Sequence, residues 1–575
     1  MCEIKNYALI SLCLFCGVLM VLGVLLYVQP ATADPPIPGG VGDSVSKIEA
    51  RSDEGDYYQY LPLVTTNGTP PLPTSNLCRL GYAGTTSSLK DYPAHLVEPL
   101  RAEWLINFHV NEWDLLADGM RLGPTVWIKQ WKEEGGQPVL TDHDAPYAEP
   151  YTYYVSPPID ALQRFAQAHP GQVWMLGNEI ERRDWAWYKS DGSYGGSLGQ
   201  SEILPEVYAR AYHEVYHAIK AADPTARIAN GSVIFPTPLR LEYYTRMWDE
   251  YYRLYHSDMP VDVWQIHLYV LPEKRNANGA DIPAGIDDVD EGWFIYDTIT
   301  ETILANKDFS HVPGLVRDFR QWLKDRGQQN KPLFITEMAV TYPEWVPEGD
   351  FSPEAVRDDY MYPVLDMVFH DTDYDLGMPD DDYRLVQSVW WWSFNMDFGY
   401  YNADGEFRQA YNGNLVWSGL GPPKNAPNPV GLSTLGQYWV EYVSQINAKP
   451  NLRPYAIKTT GAHADSGSPI TATVQLQILN NSEVAATRPF TVTFRDADTG
   501  QLVEEVVVSQ VVEGCGDKTT IPVIAWPNLA PGMHKLRVNV DSGRSVVEQD
   551  ETDNKAVFSF FVGGYRLNLP MVVRR

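Results

Sequence analysis

Cysteine is scarce in this chain of 575 residues: there are five, and Cys2, Cys13 and Cys16 fall within or beside the first apolar run. Only Cys78 and Cys515 remain, in segments that belong to different expected domains, so a disulfide framework is not expected. CxxC, HExxH and Cys/His clusters are missing, which argues against a structural zinc site, and no metal or cofactor is expected. Basic residues are short too, 44 against 74 acidic, for a net charge of −30. That deficit argues against nucleic acid and anionic membrane surfaces as partners. Beyond residue 28 no stretch approaches the roughly 18 apolar residues of a membrane-spanning helix.

What is present begins with export. Residues 7–28 carry no charge, Lys5 precedes them, and Ala31-Thr32-Ala33 follows as an A-x-A cleavage signal. Residues 1–33 therefore read as a secretory signal peptide, with an uncleaved anchor as the alternative. The expected location is secreted or cell-surface. Residues 34–76, rich in Pro, Gly, Ser and Thr, read as a linker. Within it Tyr58-Gln59-Tyr60-Leu61-Pro62-Leu63-Val64 is echoed by Tyr565-Arg566-Leu567-Asn568-Leu569-Pro570-Met571-Val572 in the tail, 564–575. No physical account of the echo follows from the sequence.

From 77 to 449 short apolar runs alternate with helical stretches, the pattern of parallel βα units. Strands are expected at 77–82, 103–109, 124–129, 172–178, 226–232, 262–269, 332–337 and 386–393. Helices are expected from Ser156-Pro157-Pro158-Ile159 onward and near 203–222, 239–255, 310–327, 353–369 and 433–446. Eight such units predict a (β/α)8 TIM barrel. From 453 to 563 the character changes: of 18 tryptophans only Trp526 falls here, and alternating strands separated by Asp498-Thr-Gly500 and Pro531-Gly532 appear. This predicts a small all-β immunoglobulin-like sandwich.

Two glutamates stand out because each ends an apolar run: Glu179 in Gln172-Val-Trp-Met-Leu-Gly-Asn-Glu179, and Glu337 in Pro332-Leu-Phe-Ile-Thr-Glu337. A carboxylate is costly to desolvate and needs a reason to end a buried strand. In a barrel these positions close the fourth and seventh strands, at the carboxyl-terminal face where chemistry sits. A pair of carboxylates is what glycoside hydrolysis requires, one as acid with a raised pKa and one ionised. His109 closes the second expected strand. His267 and Tyr269 close the sixth, Tyr269 in reach of Glu337. Trp390 and Trp392 share a face of the eighth and offer an apolar floor to a sugar ring, which Trp185 and Trp187 extend. Asp142, His143 and Asp144 resemble a metal cluster and are better read as a polar loop.

Gly177-Asn178-Glu179, Thr336-Glu337, His267-Leu-Tyr269 and the strand-eight tryptophans together resemble the clan A glycoside hydrolases. The resemblance implies Glu179 as acid/base, Glu337 as nucleophile, Asn178 on the sugar 2-hydroxyl and Tyr269 orienting the nucleophile. A strand-eight tryptophan would line the first glycone subsite. His109 stands where many members have an arginine, and the proline that often follows Asn-Glu is absent. Asn539-Val-Asp541 and Val547-Glu-Gln-Asp-Glu-Thr-Asp-Asn554 resemble the CARDB module of bacterial surface proteins, usually an accessory or adhesion domain. Its acidic turn, Asp550, Glu551 and Asp553, offers oxygen ligands to calcium, but a solvated hairpin is the preferred reading. The expectation is a retaining glycoside hydrolase acting on a carbohydrate, with surface attachment through the C-terminal domain. The rival is a non-catalytic adhesion or carbohydrate-binding protein on an inactive barrel.

Overall fold

A computed structural model describes residues 75–563, except 86, 131, 135–136, 139–145, 149–152, 184–199, 276–278, 341–350, 397–398, 402–406, 410–412, 418–430 and 461–468. The signal segment, nearly all of the linker, the tail with its echo, the 142–144 cluster, Trp185 and Trp187 lie outside the described residues. No described helix is long and apolar enough to cross a membrane.

The first part is a mixed α/β fold around a curled parallel sheet. Its strands are β1 (Leu77–Ala83), β2 (Ala102–Ile106), β3 in two pieces (Arg121–Leu122 and Thr125–Gln130), β4 (Val173–Leu176), β5 (Arg227–Ala229), β6 (Trp264–His267), β7 (Leu333–Met338) and β8 (Ser388–Trp392). Six strands pair in the order β6-β7-β8-β1-β2 and the first piece of β3. The second piece of β3 pairs with β4, and β4 with β5. An isolated parallel bridge, Ala229 to Val263, links β5 to the residue before β6. β1, β4, β7 and β8 are buried along their whole length, as strands covered on both faces are.

Helices follow the strands and cover them: α1 (Ile159–Ala168), α2 (Pro205–Ala222), α3 (Pro238–Tyr255), α4 (Ile299–Ala305), α5 (Val312–Asp325), α6 (Tyr362–His370) and α7 (Thr434–Ser444). In α2 the stripe Val207, Tyr208, Ala211, Tyr212, Val215 and Ile219 is buried, the 3.6-residue period of an inward face. Proline opens α2 and α3, where no helical N–H is lost. α3 ends at His256, which takes the left-handed conformation at φ 52°.

The second part is all-β. One antiparallel sheet joins β9 (Leu452–Thr460), β10 (Ile470–Asn480), β13 (Asp517–Thr520) and β14 (Ile524–Leu529). The other joins β11 (Phe490–Asp496), β12 (Leu502–Val508), β15 (Gly532–Asn539) and β16 (Lys555–Val562). Both contribute to one core, with Val474, Leu476, Phe490, Val492, Phe494, Trp526, Leu536 and Val538 among its residues.

This all-β module packs against the amino-terminal ends of the parallel strands. Cys78, at the start of β1, forms a disulfide with Cys515, against the expectation that the two cysteines stay apart. Next to it the wholly buried Arg79 holds Asp381 with two nitrogens at 2.9 and 2.7 Å and reaches Glu483 of the module at 3.2 Å. Asn481 donates to Asp382 at 2.8 Å, and Lys518 pairs with Asp380.

Candidate active site

β4 ends at Leu176, and Gly177 turns the chain at φ 110°, where a Cβ would approach Ile180 to 2.5 Å. Glu179 then sits in the left-handed region at φ 46° with its backbone N–H on Ser232 Oγ at 3.1 Å. The turn carries the carboxylate inward, where the residue is fully buried. Glu337 lies near the end of β7 and is 4% exposed. A register shift between β6 and β7 sets His267 beside Glu337 in the adjacent strand.

His267 lies between the two acids. Its Nδ1 is 3.2 Å from Glu179 Oε1 and its Nε2 is 3.6 Å from Glu337 Oε1. One oxygen of each glutamate and one imidazole nitrogen lie within 4.8 Å of one another. Tyr269 donates its hydroxyl to Glu337 Oε2 at 3.0 Å. Arg182 Nη1 is 3.0 Å from Glu179 Oε2, and its Nη2 donates to the Gly279 carbonyl at 3.2 Å. A histidine with two carboxylates is a plausible donor set for a divalent cation in type. Here the guanidinium and the Tyr269 hydroxyl occupy one oxygen of each glutamate, and the arginine's charge opposes a cation.

The electrostatics of the pair are unequal. Burial pushes Glu179 up, but the Arg182 charge and the hydrogen bond and charge of His267 outweigh it and leave its carboxyl below the ordinary glutamate value. For Glu337 burial dominates; His267 offsets only part of it, the Glu179 charge adds to it, and the group is pushed up to about 7. Burial lowers His267, yet the charges of Glu337 and Glu179 raise it overall. The expected raised pKa on Glu179 is not what the site's charges favour: they lower Glu179 and raise Glu337 and His267.

Other expected residues divide. Asn178 is buried, and its amide donates to Gln200 Oε1 at 2.7 Å. His109 is exposed on the loop after β2, its carbonyl accepting from Thr125 N at 3.3 Å, and it is not among the residues bonded to the glutamates described above. Trp392 lies against Phe108 with ring centroids 5.5 Å apart. Trp390 is corrected: it is wholly buried, stacked on Trp104 at 5.6 Å, and a Cβ on Gly81 would meet its ring at 2.5 Å. It fills the interior and offers no face to a sugar. In the C-terminal turn Asp550 accepts from Thr552, Asp553 from Asn451, and Glu551 from the Glu548 N–H, so local bonds occupy these acids.

Sequence reasoning missed Arg182 and the layer behind it. Glu181, fully buried, accepts from Arg240 Nε at 2.7 Å and from Ile234 N at 3.0 Å, and Arg240 also pairs with the buried Glu273. The visible signal was Glu179-Ile-Glu-Arg-Arg183 itself, which packs four charges after a buried strand.

Residues 449–558 match the CARDB family model. The resemblance expected for the C-terminal segment is borne out. No curated protein matches the chain. Among solved structures, it is similar to the CARDB domain of a Pyrococcus furiosus protein in complex with di-metal ions, at 22% identity over 20% of this chain and 96% of that one, TM-score 0.17. It is also similar to a GH128 (subgroup II) endo-β-1,3-glucanase from Sorangium cellulosum, at 15% identity over 63% of this chain and 98% of that one, TM-score 0.33. A third is a β-glucuronidase from Bacteroides uniformis, at 12% identity over 85% and 46%, TM-score 0.31. At identities and scores this low, none of them says what this chain does.

Proposed function

We propose that the chain is a retaining glycoside hydrolase, its parallel strands closing as one (β/α)8 barrel. Closure is supported by the continuity of β3 across Gly123 and Pro124 and by the Ala229–Val263 bridge between β5 and β6. The observation that carries the function is the convergence of Glu179 and Glu337, with carboxylate oxygens within 4.8 Å. Retaining enzymes set the two carboxyls about 5–5.5 Å apart and inverting ones about 6.5–9.5 Å, and a nearest approach this short is the observation that supports double displacement.

In that reaction Glu337, oriented by Tyr269, attacks the anomeric carbon while Glu179 protonates the departing oxygen. Water activated by Glu179 then releases the sugar. Without substrate the surrounding charges lower Glu179 and burial raises Glu337, so the reaction requires the proton to move toward Glu179 once substrate arrives. His267, with one nitrogen toward each carboxylate, supplies the path. The Cys78–Cys515 disulfide supports export, since such bonds persist in oxidising compartments. The CARDB-like module would serve attachment, away from the catalytic end.

The test is a glycan library screened with the wild type and with Glu337→Gln, the anomer of the first product read by NMR. Retained configuration, with activity lost in the variant, is expected. Activity that survives Glu337→Gln removes the nucleophile assignment, and an inactive wild type favours the adhesion reading.

A further inference from the structure

The amino-terminal end of the parallel strands, where the all-β module packs, holds a cavity of about 190 Å³. A single water needs only roughly 10–15 Å³. Three cations of the first part line it: Arg121 at the start of β3, Arg227 at the start of β5, and Lys331 just before β7. Residues 514–518 of the module form another wall and add Lys518. Asp262 and Asp517 are the carboxylates among the lining residues, so four positive side chains face two negative ones. In a chain of net charge −30 this enclosure is locally positive. It lies at the end of the strands opposite Glu179 and Glu337, between the two parts of the molecule, a common place for a binding site.

The donors of these cations are largely open. The Lys331 ammonium makes no hydrogen bond or ion pair with any described residue. Burial lowers it, Asp262 opposes that, and the charges of Arg227, Lys220 and Lys518 press it lower still. Arg227 Nη1 stands 3.6 Å from Asp517 Oδ1, beyond hydrogen-bond length. Arg121 Nη1 reaches Glu103 Oε1 only at 3.4 Å, and burial pushes that carboxyl up to about 7, which thins its charge at neutral pH. Asp262 is already engaged, by Lys220 at 2.8 Å and by the Ile228 N–H at 3.0 Å. Lys518 pairs with Asp380. Clustered like charges repel, and an anion with several acceptor oxygens relieves them while matching the planar fork of a guanidinium. We propose that this cavity binds a small doubly charged oxyanion, phosphate or sulfate, held chiefly by Arg227 and Lys331. Because both parts of the molecule line it, the bound ion fastens the module to the strands. The inference does not depend on the hydrolase reading.

The experiment is titration calorimetry of the full chain at neutral pH and constant ionic strength, with inorganic phosphate, sulfate and a hexose phosphate as separate probes and chloride as the control. Saturable binding of phosphate or sulfate, and none of chloride, is expected. The hexose phosphate arm tells a free ion from a phosphorylated sugar. Lys331→Met and Arg227→Gln should each weaken binding by about tenfold or more, the effect of removing one charged donor. Arg537→Gln, on the exposed face of β15, should leave it unchanged. Melting curves confirm that the variants fold. Lys331→Met breaks no pair, so it carries the test should Arg227→Gln fail to fold. The melting temperature of the wild type should also rise with ligand and level off in step with the calorimetric affinity. A rise that never levels off and is the same in Lys331→Met is salting out, and it overturns the inference. So does the absence of saturable binding with every probe, or an affinity untouched in a folded Lys331→Met. Loss of binding in these variants leaves the catalytic end intact, so glycan turnover is expected to be the same as in the wild type.

Discussion

The two ends of the parallel strands hold the same kinds of groups in opposite states. At the amino-terminal end Arg79 is wholly buried, and all three of its nitrogens donate, two of them to one carboxylate of Asp381. At the carboxyl-terminal end Glu179, His267 and Glu337 are buried as deeply, yet His267 Nε2 and Glu337 Oε1 have no hydrogen-bond partner. A buried ion pair with every valence filled fixes a geometry. A buried pair with open valences keeps a proton movable and an oxygen available. Burial of charge alone therefore marks neither structure nor chemistry; the count of satisfied valences separates them.

Substitutions at the two ends should separate function from stability. The largest effect is expected from Glu337→Gln: turnover on any accepted glycan falls by about 10⁴-fold or more, with the melting temperature at neutral pH unchanged or raised, since a neutral amide replaces a group whose ionised form burial penalises. Next is Arg79→Met, which strands Asp381 without its partner. Denaturant titration should show a loss of about 3–5 kcal/mol, with turnover below the transition unchanged. Replacing Cys78 and Cys515 together by serine should cost about 2–4 kcal/mol and leave activity in place. Tyr269→Phe removes one hydrogen bond to a charged group, about 1.5–3 kcal/mol, and should appear in kcat. An effect of Arg79→Met on kcat, or of Glu337→Gln on stability alone, would erase the contrast between the ends.

The pH profile sharpens it further. The proposed reaction needs one proton shared by Glu179 and Glu337. The wild-type kcat/KM should fall as pH rises through about 7, where Glu337 loses that proton, and the acid limb should lie below the ordinary glutamate range, because Arg182 and His267 hold Glu179 down. Arg182→Gln should move the acid limb upward and leave the alkaline limb nearly in place.

Much of the fold was legible because parallel strands covered on both faces are apolar throughout. The runs expected at 77–82, 124–129, 172–178, 332–337 and 386–393 match β1, the second piece of β3, β4, β7 and β8 within a few residues. Strand ends were overrun where an apolar or aromatic residue follows the last ladder bond, as at 103–109, where β2 stops at Ile106. In the site, Glu179, Glu337 and the Tyr269 bond were legible because strand order and side-chain alternation settle which residues point inward at the same end. Alternation sets the face but not the depth, so Trp390 and Trp392 share a side while only Trp390 is sunk among Gly81, Trp104 and Phe334. The disulfide, the Arg79 network and Arg182 were not legible. The first two join residues hundreds of positions apart, and the third depends on a left-handed turn at Glu179 that no side-chain pattern announces.

The bond between Cys78 and Cys515 has a consequence for survival outside a cell. It closes a loop over a sequence separation of 437, which encloses every parallel strand beyond the start of β1 and the segments that carry Glu179, His267 and Glu337. Surface loops are where proteases cut first. A single cut anywhere inside that loop leaves one covalent molecule, its strands still held in register by their neighbours. Only a second cut, or a reductant, lets a fragment leave. Limited proteolysis should therefore yield a species that runs as two pieces in reducing gels and as one without reductant.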